Sequence, residues 1–124
     1  MTDQSSASSH KKENRRSTRY PFVARAEIGE MNGSGFRIHA RTTEISLHGC
    51  FLDIANPLPV GQQIFVKIFT ASDYFEAGAS VVYSQPNIGI GIEFHEVSRH
   101  FQSALQRWLL EGMRLALLAA NPSS

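Results

Sequence analysis

Apolar residues recur at every second position, in short runs broken by glycine and proline, and this constrains the chain more than any other feature. Phe22, Ala24, Ala26 and Ile28 alternate with Val23, Arg25 and Glu27; Phe36, Ile38, Ala40 and Thr42 alternate with Arg37, His39 and Arg41. A period of two puts successive side chains on opposite faces of an extended chain, so each run predicts a half-buried strand. Between these runs, residues 29–35 contain Asn32-Gly33, a turn pair that tolerates positive φ. Residues 43–54 (TEISLHGCFLDI) read as strand, tight corner at Ser46 to Gly49, and strand, with Gly49 supplying the backbone geometry of the corner. Asn56-Pro57-Leu58-Pro59-Val60-Gly61 is a loop, because two prolines so close together disrupt a ladder. Gln63 to Phe69 sets Ile64, Val66 and Ile68 against Phe65, Lys67 and Phe69, a strand apolar on much of both faces. Residues 75–83 make another strand, Gln85-Pro86-Asn87 a turn, and residues 88–94 (IGIGIEF) a last strand. Six short strands joined by turns predict an all-β barrel or sandwich.

The C-terminal part departs from this rhythm. Ser98 suits a helix N-cap, Phe101, Leu105, Trp108 and Leu109 share one face at helical spacing, and Asn121-Pro122 ends the run, which predicts one helix over about 98–118. Leu109, Leu110, Met113, Leu115, Leu117 and Leu118 nearly circle that helix. A helix flanking a barrel needs one apolar face, so either the strands cover more than one face or part of this surface meets another chain, as in a homodimer through the C-terminal helix.

At 124 residues the chain suits one domain with a core that needs neither metal nor disulfide. Its single Cys50 forms no internal disulfide and no paired-cysteine zinc site, which fits a reducing, cytoplasmic setting with no bound metal. No secretory signal and no run near the ~20 apolar residues of a membrane span is present. Residues 1–14 (MTDQSSASSHKKEN) are Ser-rich and polar, predicting a disordered leader, followed by the domain over 15–118 and a tail over 119–124.

Charge is unevenly placed. Lys11, Lys12, Arg15, Arg16 and Arg19 face only Asp3 and Glu13 in the first 20 residues, a local +3, so with +1 overall the remainder carries −2. A DNA-binding domain would spread positive charge over its folded face, so no DNA partner is expected. The basic cluster sits in Arg15-Arg16-Ser17-Thr18-Arg19-Tyr20-Pro21-Phe22, at the lip of the β domain. One reading is a solvated tail. The other makes Arg15 and Arg19 guanidinium forks that take a phosphate or a guanine O6/N7 edge bidentately.

Glu44-x-Ser46-x-x-Gly49 supplies a second element: a carboxylate, a hydroxyl and a glycine at a corner between strands, able to form a small polar cradle. A carboxylate suits the N1–H and N2–H₂ donors of guanine, where an arginine suits its opposite edge. R-x-x-x-R at Arg15 and Arg19, followed by this motif, resembles the PilZ domain family. The resemblance runs over roughly residues 13–110, including Tyr20-Pro21, the loop ending Val60-Gly61, the Gly89-Ile90-Gly91-Ile92-Glu93-Phe94 strand and the closing helix. It implies a six-stranded antiparallel split β-barrel with one C-terminal helix. It also implies a non-catalytic bacterial receptor for the second messenger cyclic di-GMP, of a kind that regulates motility or biofilm formation through an effector protein. Carried over residue by residue, Arg15 and Arg19 close over the ligand from a mobile segment, Ser46 and Gly49 lie beneath it, and Glu44 contacts the other guanine edge. Arg16 and His48 are expected near the ligand. Glu44 departs from the family's Asp or Asn by one methylene, which keeps the acceptor but shifts its head.

Rival readings follow from the same residues. Loss of ligand would leave a PilZ-like adaptor working by protein contact. An enzyme built from His39, His48, His95 and His100 with Asp53, Glu93 or Ser46 lacks a nucleophile elbow, a metal-spaced histidine pair or a phosphate loop. A small barrel binding single-stranded nucleic acid would use Phe36, Phe51, Phe65, Phe69, Tyr74 and Phe75 for stacking, though aromatics in alternating strands are mostly core. Cys50 is expected to act as a small buried hydrophobe and Trp108 to pack helix on barrel.

Overall fold

Residues 17–30, 37–56 and 58–120 are described by the computed structural model of the chain. Their elements are β1 (Tyr20–Pro21), β2 (Arg25–Glu30), β3 (Arg37–Ile45), β4 (Gly49–Asp53), β5 (Gln63–Phe69), β6 (Tyr74–Gln85), β7 (Gly89–Phe94) and α1 (Arg99–Ala120). Every pairing is antiparallel. β3 pairs with β2, then β5, β6, β7 and β4 follow, and β4 returns to β3, so six strands close into a barrel. Closure removes the free edges that would otherwise invite association.

Alternation builds the interior. Ala26 and Ile28 from β2, Leu52 from β4, Ile64, Val66 and Ile68 from β5, Ala79 and Val81 from β6, and Ile90 from β7 are almost wholly excluded from solvent. The expected faces are therefore the observed ones. Phe65 and Phe69, on the other face of β5, are half-buried.

The first expected strand is split. Tyr20 lies opposite Ile45 and Pro21 opposite Glu44, but the ladder with β3 resumes only at Arg25 opposite Arg41. Thr42 bridges the gap: its buried hydroxyl accepts the Ala24 N–H at 2.8 Å and donates to the Phe22 carbonyl at 2.7 Å. Thr42 falls on the inward row with Ile38 and Ala40, and there its hydroxyl partners two backbone groups that the break in the ladder leaves free. The turn at Asn32-Gly33, Phe36, Pro57 and the stop at Asn121-Pro122 lie outside the described residues.

The helix packs as expected. The Ser98 carbonyl accepts the N–H groups of Phe101 and Gln102, each at 3.0 Å, opening α1. Trp108 sits between Phe22 (ring centroids 4.8 Å) and Phe75 (5.9 Å). Arg107 grips Asp73 through Nη2–Oδ1 at 2.6 Å and Nε–Oδ2 at 3.3 Å, tying the helix to the β5–β6 turn. That fork, the main cause, holds the Asp73 carboxyl below its ordinary range. Leu110, Met113, Leu115, Leu117 and Leu118 are exposed, so the excess over one apolar face is real surface. No helix among the described residues is long and apolar enough to cross a membrane.

Candidate functional site

Two irregularities in the barrel wall shape one open groove. The register between β3 and β4 shifts between Thr42 and Glu44, which sets Glu44 opposite Phe51. The register between β6 and β7 shifts between Val81 and Tyr83, and both Val82 and Tyr83 are consequently exposed instead of alternating. An extra residue in one strand of a pair bends it and re-aims the side chains beyond. Between the two bulges lies a groove of about 830 Å³ whose lining includes Ser17, Arg19, Glu44, Ser46, His48, Gly49, Phe51, Tyr83, Gln85 and Glu93.

Arg19 and Glu44 meet across its rim, Nη1 to Oε1 at 3.8 Å, too long for a hydrogen bond. Both side chains are about half-exposed or more, so their attraction is screened and either can turn to another partner. Ser17 Oγ hydrogen-bonds His48 Nδ1, attaching the incoming chain to the corner.

The corner itself is locked. Ser46 N–H donates to the Gly49 carbonyl at 2.8 Å, and the N–H groups of His48 and Gly49 donate to Ser46 Oγ at 3.3 and 3.2 Å. The hydroxyl in turn donates to the Gly49 carbonyl at 3.2 Å. A hydroxyl has one proton and two lone pairs, and all are engaged. Ser46 thus builds the corner, where the sequence suggested a donor free for a ligand. Gly49 also plays a different part from the one its position suggested. Its φ is not positive; a Cβ there would lie 1.9 Å from the Ile92 carbonyl oxygen, so glycine lets β7 approach β4.

Opposite the corner lies an aromatic shelf. Phe51 and Tyr83 have ring centroids 6.1 Å apart at 49°, and Tyr83 Oη donates to Gln85 Oε1 at 2.7 Å. Gly91 lies beneath: a Cβ there would come within 3.3 Å of Tyr83 Cβ and 3.7 Å of Phe51 Cδ1. Phe51 was among the aromatics singled out in the sequence, but Tyr83, Gln85 and Glu93 carry no motif. Only the bulges bring them to the groove, and a shift of register leaves no signature in periodicity.

The PilZ domain profile matches residues 13–111. The chain belongs to the PilZ domain family. No curated protein sequence matches it. Among solved structures, the PilZ domain of YcgR from Escherichia coli with c-di-GMP is 19% identical, with TM-score 0.65 over 86% of this chain and 97% of that one. YcgR from Escherichia coli in complex with c-di-GMP is 20% identical, with TM-score 0.68 over 89% of this chain and 50% of that one. The inhibitor of motility MotI/DgrA of Bacillus subtilis is 20% identical, with TM-score 0.62 over 81% of this chain and 51% of that one. At these identities the structures speak for the fold.

Within this PilZ barrel, the structure brings Arg19, Glu44, Ser46, His48 and Gly49 to one groove. Arg15 and Arg16 lie outside the described residues. The other described histidines do not converge on it: His95 Nε2 bonds Ser80 Oγ at 2.6 Å, His39 lies 4.0 Å from Glu27, and His100 meets Phe101 edge-on. The described aromatics of the nucleic-acid reading are dispersed too, with Phe75 in the core and Phe69 against Tyr74. Cys50 is the small buried hydrophobe expected; burial pushes its thiol up to about 12, far from a thiolate at neutral pH.

Proposed function

We propose that this chain is a non-catalytic receptor for cyclic di-GMP that signals to another protein. The observation that carries the reading is the meeting of Arg19 and Glu44 over a locked corner, opposite an exposed aromatic shelf, in a groove of a volume suited to a small ligand. Each part answers one feature of the dinucleotide. Phe51 and Tyr83 offer a stacking face for a base. Glu44 accepts from the guanine N1–H and N2–H₂ donors, and Arg19 with Arg15 clasps phosphate or the O6/N7 edge. Ser17, two residues after Arg15 in the chain, lines the groove wall, which is consistent with the clasp. Arg16 and His48 would stand beside the ligand. The similar Bacillus subtilis structure, an inhibitor of motility, extends this reading to control of motility.

Calorimetry tests the reading. Wild-type protein is expected to bind cyclic di-GMP and to reject cyclic di-AMP, which lacks the donors facing Glu44. Arg19→Ala removes a charge-assisted fork worth about 1.5–3 kcal/mol, a loss of roughly 10- to 150-fold in affinity. No heat with cyclic di-GMP would favour the adaptor that works by protein contact alone, and wild-type affinity in Arg19→Ala would remove the clasp.

A further inference from the structure

The strand that presents Arg19 to the groove is seated on the helix by its very next residue. Tyr20 lies against Gly112 so closely that a Cβ on the glycine would come 2.6 Å from Tyr20 Cβ and 2.8 Å from Cγ. Two residues on, Phe22 stacks on Trp108 at 4.8 Å. Adjacent residues of an extended chain point to opposite sides, so one short segment turns Arg19 to the groove and Tyr20 to the helix. Glycine is a poor choice in the interior of a 22-residue helix. The Tyr20 seat gives it a packing reason. Beyond Gly112 every residue over 113–120 is exposed, so this is the last point at which α1 is buried against the body.

We infer that Gly112 is a positioning residue for the groove and, together with Tyr20, a joint that couples ligand grip at Arg19 to the pose of the exposed end of α1. The inference rests on the ligand reading above. A ligand that fixes Arg19 fixes Tyr20, and Tyr20 steadies the helix where its last buried residue lies. By linkage the coupling runs both ways: a helix displaced at Gly112 presents Arg19 wrongly and weakens binding.

The full chain is tested by cyclic di-GMP calorimetry and by amide hydrogen exchange over 113–120, with and without ligand. In wild type the ligand is expected to slow exchange there. Gly112→Ala should weaken binding by about tenfold or more and abolish that slowing, although alanine is the better helix former. A merely structural role would lower the stability of Gly112→Ala and leave both the affinity of the folded protein and the ligand-induced slowing intact. Ala116→Gly is the control: it loosens the helix end without touching Tyr20, and affinity should stay within about twofold. Tyr20→Ala removes the same seat from the strand side and should reproduce Gly112→Ala, which keeps the test open if that variant folds poorly. Ligand binding without any change in exchange over 113–120, or wild-type affinity in both seat variants, overturns the joint. A wild-type chain that binds no cyclic di-GMP overturns the ligand reading itself, and the joint falls with it.

Discussion

Gly49→Ala separates two explanations of the glycine in the corner motif. If Gly49 matters because β7 must approach β4, alanine has to push its new Cβ from 1.9 Å to at least 3.0 Å from the Ile92 carbonyl oxygen, a displacement of about 1.1 Å. The neighbours are all backbone, with Ile92 C at 3.0 Å and Glu93 Cα at 3.2 Å, so no side chain can swing aside. Overpacking of this kind costs about 1–3 kcal/mol. Parting the strands also strains nearby bonds, among them Phe94 N–H to the His48 carbonyl at 2.8 Å, at about 0.5–1.5 kcal/mol each. Against this, alanine restricts the unfolded chain and returns about 0.4–1 kcal/mol. The net expectation is a loss of about 0.5–4 kcal/mol, against the ~5–15 kcal/mol typical of a domain. Urea unfolding should show a lower midpoint at unchanged slope. If glycine served only to let a ligand approach, the same substitution would leave the midpoint unchanged or raise it. An unchanged or raised midpoint therefore refutes the steric account.

Three further expectations follow from named contacts. Glu44→Asp shortens the arm that reaches Arg19 and restores the family's carboxylate; cyclic di-GMP affinity should be kept or improved, within the ~2 kcal/mol ceiling of side-chain ordering, and a loss of tenfold or more in calorimetry would contradict it. A homodimer through α1 predicts a mass that rises with concentration in light scattering and returns to monomer in Leu117→Glu; a monomeric mass across a wide range removes it. Asp73 is held below its unfolded pKa by Arg107, so its contribution is present above the unfolded value and lost as pH falls through the folded one. The thermal midpoint should therefore drop below about pH 4 in wild type, and Asp73→Asn should lower the neutral-pH midpoint and flatten that drop; an equal acid slope in the two proteins would assign it elsewhere.

The barrel was legible because burial on one face of a strand writes a period of two, as in Ile64, Val66 and Ile68, and burial of a helix stripe writes Phe101, Leu105 and Trp108. The corner was legible as a motif. Its physics was not, because Ser46 and Gly49 look the same whether they face a ligand or hold a turn, and only distances distinguish the two. Tyr83 and Gln85 were missed because a bulge in β6 decides their direction, and a bulge depends on the partner strand. Thr42 and Gly112 were missed for a related reason. Each answers a neighbour far away in sequence, the break between β1 and β2 in one case and Tyr20 in the other.

The electrostatics of the groove explain why its basic residues belong on the incoming segment. Its described lining carries one guanidinium, Arg19, against two carboxylates, Glu44 and Glu93, which leaves the wall itself without positive charge to offer a doubly charged ligand. On the proposed reading Arg15 and Arg16, which lie outside the described residues, would supply the balance. Ordering each residue of such a segment costs about 1–2 kcal/mol of backbone freedom, while each charge-assisted fork returns about 1.5–3 kcal/mol. One fork therefore offsets the ordering of about one to three residues, and on the proposed reading the shelf and Glu44 would contribute the rest of the affinity. A near-balanced closure is what a receptor needs if its ordered surface is to appear only when ligand is present. If the incoming segment orders on binding, as the proposed reading has it, the ordered surface is what a partner would read, a change that arginines on rigid strands would not offer.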